Sequence, residues 1–153
     1  MTNFTDNFTL RAHNTFGLEA TARHWAEFRT VDELRTVIRD CHTRHLPWYV
    51  LSGGSNVILT GNFPGCVIHP TSDGITQLGP DLLRAEAGVV WDDLVAWTVD
   101  RGLGGLENLS FIPGLVGAAP VQNIGAYGAG ATDTIATVEY FDTEHLEPGR
   151  IPG

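Results

Sequence analysis

The chain has 153 residues, of which 42% are hydrophobic, and this length suits one domain or two small lobes that share a core. Its nine basic residues, all arginine, stand against eighteen acidic residues, so the formal net charge is −9. The sequence lacks the basic cluster that nucleic acid or anionic lipid requires, which argues against a function on either.

The cysteine content and the absence of long apolar runs indicate the compartment. Two cysteines, Cys41 and Cys66, are too few for a disulfide scaffold, and we expect free buried thiols. The chain does not open with a secretory segment, and no apolar run approaches the ~18 residues of a membrane span. The sequence therefore predicts a soluble, cytoplasmic protein.

The first half of the chain predicts a β-α-β lobe at residues 13–70, preceded by a loosely held arm at residues 1–12. Thr30 and Glu33 match a capping box, and the apolar residues after them recur at helical spacing. This pattern predicts a helix over residues 31–44. The expected strands begin at Trp48 and cover residues 57–60 and 66–69.

The second half predicts another lobe at residues 71–142 and an irregular tail at residues 143–153, where Pro and Gly are frequent. Its expected elements are strands at 75–78, 82–87 and 134–141 and a helix at 91–101. Asp92 and Asp93 suit the positive N-terminal end of that helix, and Gly102 suits its C-terminal stop.

Residues 112–128 form the most unusual stretch, because they contain four glycines, two prolines and no ionisable group except the Tyr127 phenol. Backbone amides in such a stretch can bind an anion or the edge of a ring directly. A buried, tightly turned loop is the alternative reading of the same composition.

A second glycine loop, Ser52 to Asn56, lies between two apolar runs, which is an arrangement that aims consecutive amides at a phosphate. It is not a P-loop, because the chain contains no lysine, and the chain contains no G-x-G-x-x-G fingerprint. Taken alone, this loop is weak evidence for a phosphate site, and a hairpin turn is the alternative reading.

Two other groups of polar residues have structural interpretations. His42 and His45 lie near a predicted helix end beside Cys41, but the spacing does not supply further metal ligands, so we predict no metal site. Glu107 could act as an acid or base, but a carboxylate in a Gly-Leu-Glu-Asn turn more often bonds neighbouring amides.

Taken together, the loops resemble one enzyme family. The motifs are Asn14-Thr15-Phe16-Gly17, Gly53-Gly54-Ser55-Asn56-Val57, Gly105-Leu106-Glu107-Asn108 and the run from Ile112-Pro113-Gly114 to Gln122-Asn123-Ile124-Gly125-Ala126-Tyr127-Gly128. In this order they resemble the UDP-N-acetylenolpyruvoylglucosamine reductases, flavoenzymes of bacterial peptidoglycan precursor synthesis. The resemblance covers roughly residues 13–142.

The resemblance implies an α+β fold, a two-lobed FAD-binding domain of the vanillyl-alcohol-oxidase/PCMH type, which we expect to be incomplete at the C-terminus. It implies non-covalent FAD, NADPH as reductant and UDP-N-acetylglucosamine enolpyruvate as the substrate that the complete enzyme converts to UDP-N-acetylmuramate. The implied cofactor-binding residues are Gly53, Gly54, Ser55, Asn56, Val57, Ile112, Pro113, Gly114, Ala118, Ala119, Gly125, Ala126 and Tyr127.

We expect no catalytic residue in this chain. The family's substrate-contacting arginine, proton-donating serine and assisting glutamate, together with its C-terminal substrate domain, have no match by motif here. The sequence also departs from the family at Ser52, where members commonly carry glycine, and at Ala118 and Ala119, where some carry hydroxyls. Two alternatives stay open: a flavin oxidoreductase of the same fold with another substrate, and a non-catalytic nucleotide-binding fragment.

Overall fold

The computed structural model describes residues 2–153, which divide into two compact units. Residues 2–71 and 141–148 form the first unit, and residues 72–140 and 149–153 form the second. None of the helices in the described part of the chain is long and apolar enough to cross a bilayer.

The first unit contains a four-stranded sheet and one helix. Its elements are β1 (Thr5–Thr9), β2 (Thr21–Phe28), α1 (Val31–Thr43), β3 (Trp48–Val50) and β4 (Phe63–Pro70). The strand order is β1-β2-β4-β3, in which β1 runs antiparallel to β2 and the other neighbours are parallel. A parallel pair of strands needs a crossover connection, and α1 lies within the connection from β2 to β4.

Both faces of this sheet are buried, because successive side chains of a strand point in opposite directions. Trp25 and Val67 pair across β2 and β4 and belong to one core cluster, whereas Ala26 and Ile68 pair one position further and belong to another. The second cluster also contains the apolar face of α1. This two-sided burial accounts for the consecutive buried residues at 25–26 in β2 and 65–68 in β4.

Helix α1 begins where the sequence predicts it. The Thr30 hydroxyl accepts a hydrogen bond from the Glu33 amide at 3.2 Å, and the Glu33 carboxylate accepts one from the Thr30 amide at 3.1 Å. These reciprocal bonds satisfy amides that have no partner within the helix, so the capping box is confirmed. His45, at φ +52°, lies in a left-handed turn just after the helix.

Cys41 in α1 and Cys66 in β4 are both free and fully buried, which confirms the prediction of free buried thiols. The Cys66 Sγ donates a hydrogen bond to the Val67 carbonyl at 3.7 Å. Interaction with the neighbouring Cys41 thiol, together with burial, raises the pKa of the Cys66 thiol. The pair therefore behaves as part of the apolar core.

The second unit is built from short elements around one core. They are β5 (Ile75–Gln77), β6 (Leu83–Ala85), α2 (Trp91–Val99), α3 (Ala119–Gln122), β7 (Gly125–Ala126) and β8 (Ala129–Gly130). Strands β5 and β6 form one antiparallel hairpin and β7 and β8 another. Trp91, Leu94 and Val95 of α2 bury one helical face against Leu106 and Leu109.

A last hairpin pairs β9 (Thr137–Asp142) with β10 (Glu147–Pro152). The expectation of an irregular tail at residues 143–153 is therefore wrong, because β10 pairs despite its proline and glycine content. Strand β10 is stabilised by pairing with β9, and the composition of residues 143–153 alone does not reveal that partner.

Two other expectations are also wrong. The expected loose arm at residues 1–12 contains β1, and Leu10, which follows it, is fully buried. The strand expected at residues 57–60 is absent from the described structure, where these residues form a loop without strand pairing. Val57 and Leu59 instead pack against the core cluster around Trp25.

Candidate functional site

The glycine turn at residues 52–56 follows β3 in the first unit. The Leu51 amide bonds the Ile68 carbonyl at 2.9 Å, so pairing with β4 extends to the residue just before the turn. Gly53 and Asn56 are exposed, whereas Gly54 is buried. The turn therefore presents Gly53 and Asn56 to solvent while Gly54 faces the body of the unit.

Gly54 is a glycine for two reasons. Its φ is +70°, in the left-handed region, and a Cβ added there would lie 2.0 Å from the His13 carbonyl oxygen. In addition, the Thr15 amide donates a hydrogen bond to the Gly54 carbonyl at 3.2 Å. The turn is therefore fixed by direct backbone packing against residues 13–15.

The Asn14 side chain shapes the segment that supports this turn. Its Nδ2 donates to the carbonyls of Leu10 at 2.8 Å and Leu18 at 3.1 Å, and its Oδ1 accepts from the Leu18 amide at 2.9 Å. Asn14 is only 6% exposed, and these bonds satisfy a side chain that would otherwise be costly to bury. In the Asn14-Thr15-Phe16-Gly17 motif, the asparagine thus folds the loop that holds Gly54.

A cluster of rings lies beside the same segment. The Trp25 ring stacks on Phe8 and His69, with ring centroids 4.3 and 5.1 Å apart, and His13 lies 4.5 Å from Trp25. The His69 Nδ1 donates to the Leu51 carbonyl at 2.8 Å, directly before the turn. Sequence reasoning missed this cluster, because its members come from separate elements.

The His13 ring is held in its neutral form by this environment. Burial and then the neighbouring His69 lower the pKa of His13, against a smaller raising effect of Glu27.

Ser52 Oγ is buried and has no hydrogen-bond partner among the described residues. The turn thus contains one hydroxyl whose hydrogen-bonding capacity the described residues leave unused.

In the second unit, the first half of the 112–128 stretch is clamped onto residues 87–91. The Trp91 amide donates to the Gly114 carbonyl at 3.0 Å, the Val116 amide to the Val89 carbonyl at 2.8 Å, and the Gly117 amide to the Ala87 carbonyl at 3.0 Å. A Cβ at Gly117 would lie 2.8 Å from the Ala87 Cβ, so this close approach requires glycine.

The second half consists of α3 and the β7–β8 hairpin. Tyr127, at φ +51°, and Gly128, at φ +80°, form the hairpin turn. Such a turn with two left-handed residues is the favoured two-residue connection of a hairpin. A Cβ at Gly125 would lie 3.1 Å from the Ala129 carbonyl oxygen, so packing within the hairpin accounts for this glycine.

The predicted cofactor-binding residues of the second unit differ in burial. Ala119 is buried in the core, and its amide donates to the Val116 carbonyl. Ile112 and Ala126 are half-buried and pack against that core, whereas Tyr127 is 90% exposed. The stretch is thus anchored by its small and aliphatic residues and presents an aromatic ring to solvent.

Glu107 has the structural role expected from the sequence. Its Oε2 accepts a hydrogen bond from the Gly105 amide at 2.5 Å. Bonds from its own backbone amide and from that of Gly105 lower the pKa of the Glu107 carboxyl. The carboxylate is therefore held ionised, which is the wrong state for a proton donor.

A cavity of about 500 Å³ lies within the second unit, and Val116 and Pro120 of the 112–128 stretch are among the residues that line it. Its apolar lining includes Leu83, Leu94 and Ile135. At its rim Glu139 accepts from Arg84 at 2.6 Å and from Arg150 at 2.5 Å. Within residues 2–153, no group of three His, Cys, Asp or Glu side chains is placed to hold a metal ion.

A family model described as an FAD binding domain matches residues 22–144. The chain belongs to this family. The fold agrees: p-cresol methylhydroxylase matches with a TM-score of 0.64 at 18% identity, over 97% of this chain and 30% of that one. The expected α+β class of two-lobed FAD-binding domains is thereby confirmed.

The curated relatives carry a more specific name. The UDP-N-acetylenolpyruvoylglucosamine reductase of Pseudomonas fluorescens is 43% identical over 140 residues, which cover 89% of this chain and 41% of the relative. The same enzyme of Neisseria gonorrhoeae is 46% identical over 141 residues, covering 88% and 40%. The chain therefore spans about two fifths of the length of these relatives.

A solved structure agrees with the fold. The UDP-N-acetylenolpyruvylglucosamine reductase of Thermus caldophilus matches with a TM-score of 0.76 at 24% identity, over 99% of this chain and 53% of that one. At this level of identity the match supports the fold alone. The identity of 43–46% to the curated reductases confirms the family resemblance inferred from the motifs.

Proposed function

We propose that this chain binds FAD non-covalently and supplies the cofactor-binding part of an NADPH-dependent UDP-N-acetylenolpyruvoylglucosamine reductase. Identity of 43–46% to curated reductases over nearly nine tenths of the chain carries this proposal. The substrate of the whole enzyme would be UDP-N-acetylglucosamine enolpyruvate, and its product would serve cell-wall synthesis in the cytoplasm. Another substrate for the same fold is the weaker alternative, because the motifs named above resemble those of these reductases.

The residues present fit such a cofactor. The turn at 52–56 carries no charged side chain, exposes Gly53 and Asn56, and contains the unused Ser52 hydroxyl. Backbone amides and hydroxyls of this kind suit a pyrophosphate in a chain that has no lysine. In the second unit, the uncharged stretch at 112–128 and the exposed Tyr127 ring suit a flat ring system.

For the first unit, we propose that residues 53–57 hold the pyrophosphate through amides and the Ser55 hydroxyl. For the second unit, we propose that Ile112, Pro113 and Gly114 support the flavin or its ribityl chain. Gly125, Ala126 and Tyr127 complete the wall of the proposed site by close approach, and any contact at Ala118 and Ala119 comes from the backbone. The bound flavin supplies hydride transfer between NADPH and the substrate. The protein residues bind and orient it, and their packing onto residues 13–15 and 87–91 fixes their positions.

The first test is FAD binding by the chain itself. We expect titration with FAD to quench flavin fluorescence saturably, and we expect all flavin to be released on denaturation, because the attachment is non-covalent. ADP should compete through the pyrophosphate. A folded chain, verified by circular dichroism, that leaves FAD fluorescence unchanged would refute the proposal.

The second test concerns catalysis. We propose that this chain alone does not reduce the substrate, because the reaction needs a positioned proton donor and the family's arginine, serine and glutamate have no match by motif here. In a mixture of chain, FAD, NADPH and UDP-N-acetylglucosamine enolpyruvate, NADPH oxidation should not depend on substrate. Substrate-dependent turnover of about 1 s⁻¹ or faster, a rate in the usual enzyme range, would overturn this proposal.

A further inference from the structure

Phe111, which directly precedes the Ile112-Pro113-Gly114 segment, has an unusual conformation. Its side chain is 91% exposed, and its φ of +61° lies in the left-handed region. A bulky residue adopts this conformation only where its surroundings impose it, and such residues concentrate at functional sites. An exposed aromatic ring held in this way contributes nothing to the core.

Asp92, in the first turn of α2, imposes that conformation. Its Oδ1 accepts the Phe111 amide at 2.8 Å and the Ser110 hydroxyl at 2.8 Å. Hydrogen bonds from the Phe111 amide and then the Ser110 hydroxyl lower the pKa of the Asp92 carboxyl. The acceptor is thus ionised at neutral pH, and hydrogen bonds to ionised groups are among the strong ones.

Trp91 holds the same loop on both sides of Phe111. Its indole Nε1 donates to the Leu109 carbonyl at 2.8 Å, and its backbone amide donates to the Gly114 carbonyl at 3.0 Å. Two consecutive residues of α2 therefore fix the loop from Leu109 to Gly114. Within this loop the only large side chain left in solvent is the Phe111 ring.

We propose that Asp92 is a positioning residue that presents Phe111 as a contact for a planar ring system of the bound cofactor. This inference rests on the proposed FAD binding. Covering an exposed phenyl ring with a flat aromatic surface removes apolar area from water and allows stacking. FAD contains two such surfaces, the isoalloxazine and the adenine, and both offer this chemistry.

The first measurement is the dissociation constant of FAD for matched variants of the whole chain. Phe111→Ala and Asp92→Ala should each raise it about tenfold, since an aromatic contact contributes on this scale. Asp92→Asn keeps a carbonyl oxygen as acceptor and should change it less than about threefold. Asp93→Asn removes the same charge from the neighbouring, exposed position and should leave it unchanged.

Competition by the two halves of the cofactor identifies the ring that Phe111 contacts. If the isoalloxazine is the partner, Phe111→Ala should weaken riboflavin binding and leave ADP binding unchanged. If the adenine is the partner, the opposite result follows. Equal affinities of the parent and Phe111→Ala for FAD, riboflavin and ADP would overturn the ring contact.

A second measurement needs no cofactor. Amide hydrogen exchange at position 111 should be protected in the parent and in Asp92→Asn, and at least about tenfold faster in Asp92→Ala, because an exposed amide loses its acceptor. Unchanged protection in Asp92→Ala would overturn the positioning role. If the parent fails to bind FAD, the proposed function and the ring contact both fall, whereas the exchange result still decides whether Asp92 holds the loop.

Discussion

Gly54→Ala is expected to destabilise the first unit by about 2–4 kcal/mol and to weaken FAD binding at least about tenfold. The added Cβ would lie 2.0 Å from the His13 carbonyl oxygen, and φ at this position is +70°. Since the obstacle is backbone, rotation of a side chain cannot relieve the clash. The turn must move away from Thr15 and lose the hydrogen bond that joins them. Urea denaturation followed by tryptophan fluorescence, together with FAD titration, measures both effects.

Gly61→Ala provides the matched control. Gly61 lies in the same unit, has no heavy atom within 4 Å of its would-be Cβ, and does not have a left-handed φ. Its replacement should change stability by less than about 0.5 kcal/mol, as expected for a surface position. Similar denaturation midpoints for both variants would mean that Gly54 is not constrained by its contact with His13.

Trp91→Ala is expected to destabilise the second unit by about 3–5 kcal/mol, the usual cost of truncating a buried large side chain. Trp91 is 4% exposed, contacts the core of its unit, and bonds the Leu109 carbonyl through its indole. Loss of the ring leaves a cavity and frees the loop at Leu109. Hydrogen exchange resolved by peptide should show the effect in residues 72–140.

Two further variants separate the contributions of this side chain. Trp91→Phe keeps most of the buried apolar ring and removes the indole donor. It should cost about 1 kcal/mol for the lost hydrogen bond, plus a smaller cavity cost than Trp91→Ala. Trp97→Ala removes a half-buried indole from the same helix and should cost much less than Trp91→Ala. Equal losses for Trp91→Ala and Trp97→Ala would show that burial of Trp91 does not stabilise the unit.

The helices could be predicted from the sequence because their signals are local. The bonds of the Thr30 capping box span three residues, and the apolar face of α1 recurs at helical spacing over Val37, Ile38 and Cys41. For α2, two acids in the first turn and Gly102 after the end gave its extent to within two residues. Such features need no knowledge of the rest of the fold.

Features that depend on distant partners were not predicted. Strand β1 forms because Thr5 and Phe8 pair with Trp25 and Ala22 of β2, and nothing in its polar sequence reports that partner. Residues 57–60 have strand-like composition, but Val57 and Leu59 pack against a core cluster, Ile58 is exposed, and the segment forms no strand pairing. Tertiary packing decides such cases over local preference.

The same distinction applies to the candidate site. The glycine loops could be located from composition and motifs, but the reasons for Gly54 and Gly117 are close approaches to His13 and Ala87. Asp92 carries a sequence signal only as a charge near a helix start. Its bonds to Ser110 and Phe111 join residues 18 and 19 positions apart, and sequence periodicity does not reveal such pairs.

The buried thiols distinguish the stability of one unit from that of the other. Cys41 and Cys66 are the only cysteines of the sequence, and both lie in the core of the first unit. An alkylating reagent can reach them only after α1 separates from β4, so the labelling rate of the native chain reports the opening of that unit alone. Mass spectrometry of chains quenched during labelling would therefore measure the rate of this opening. The second unit contains no cysteine, so the reagent does not label it.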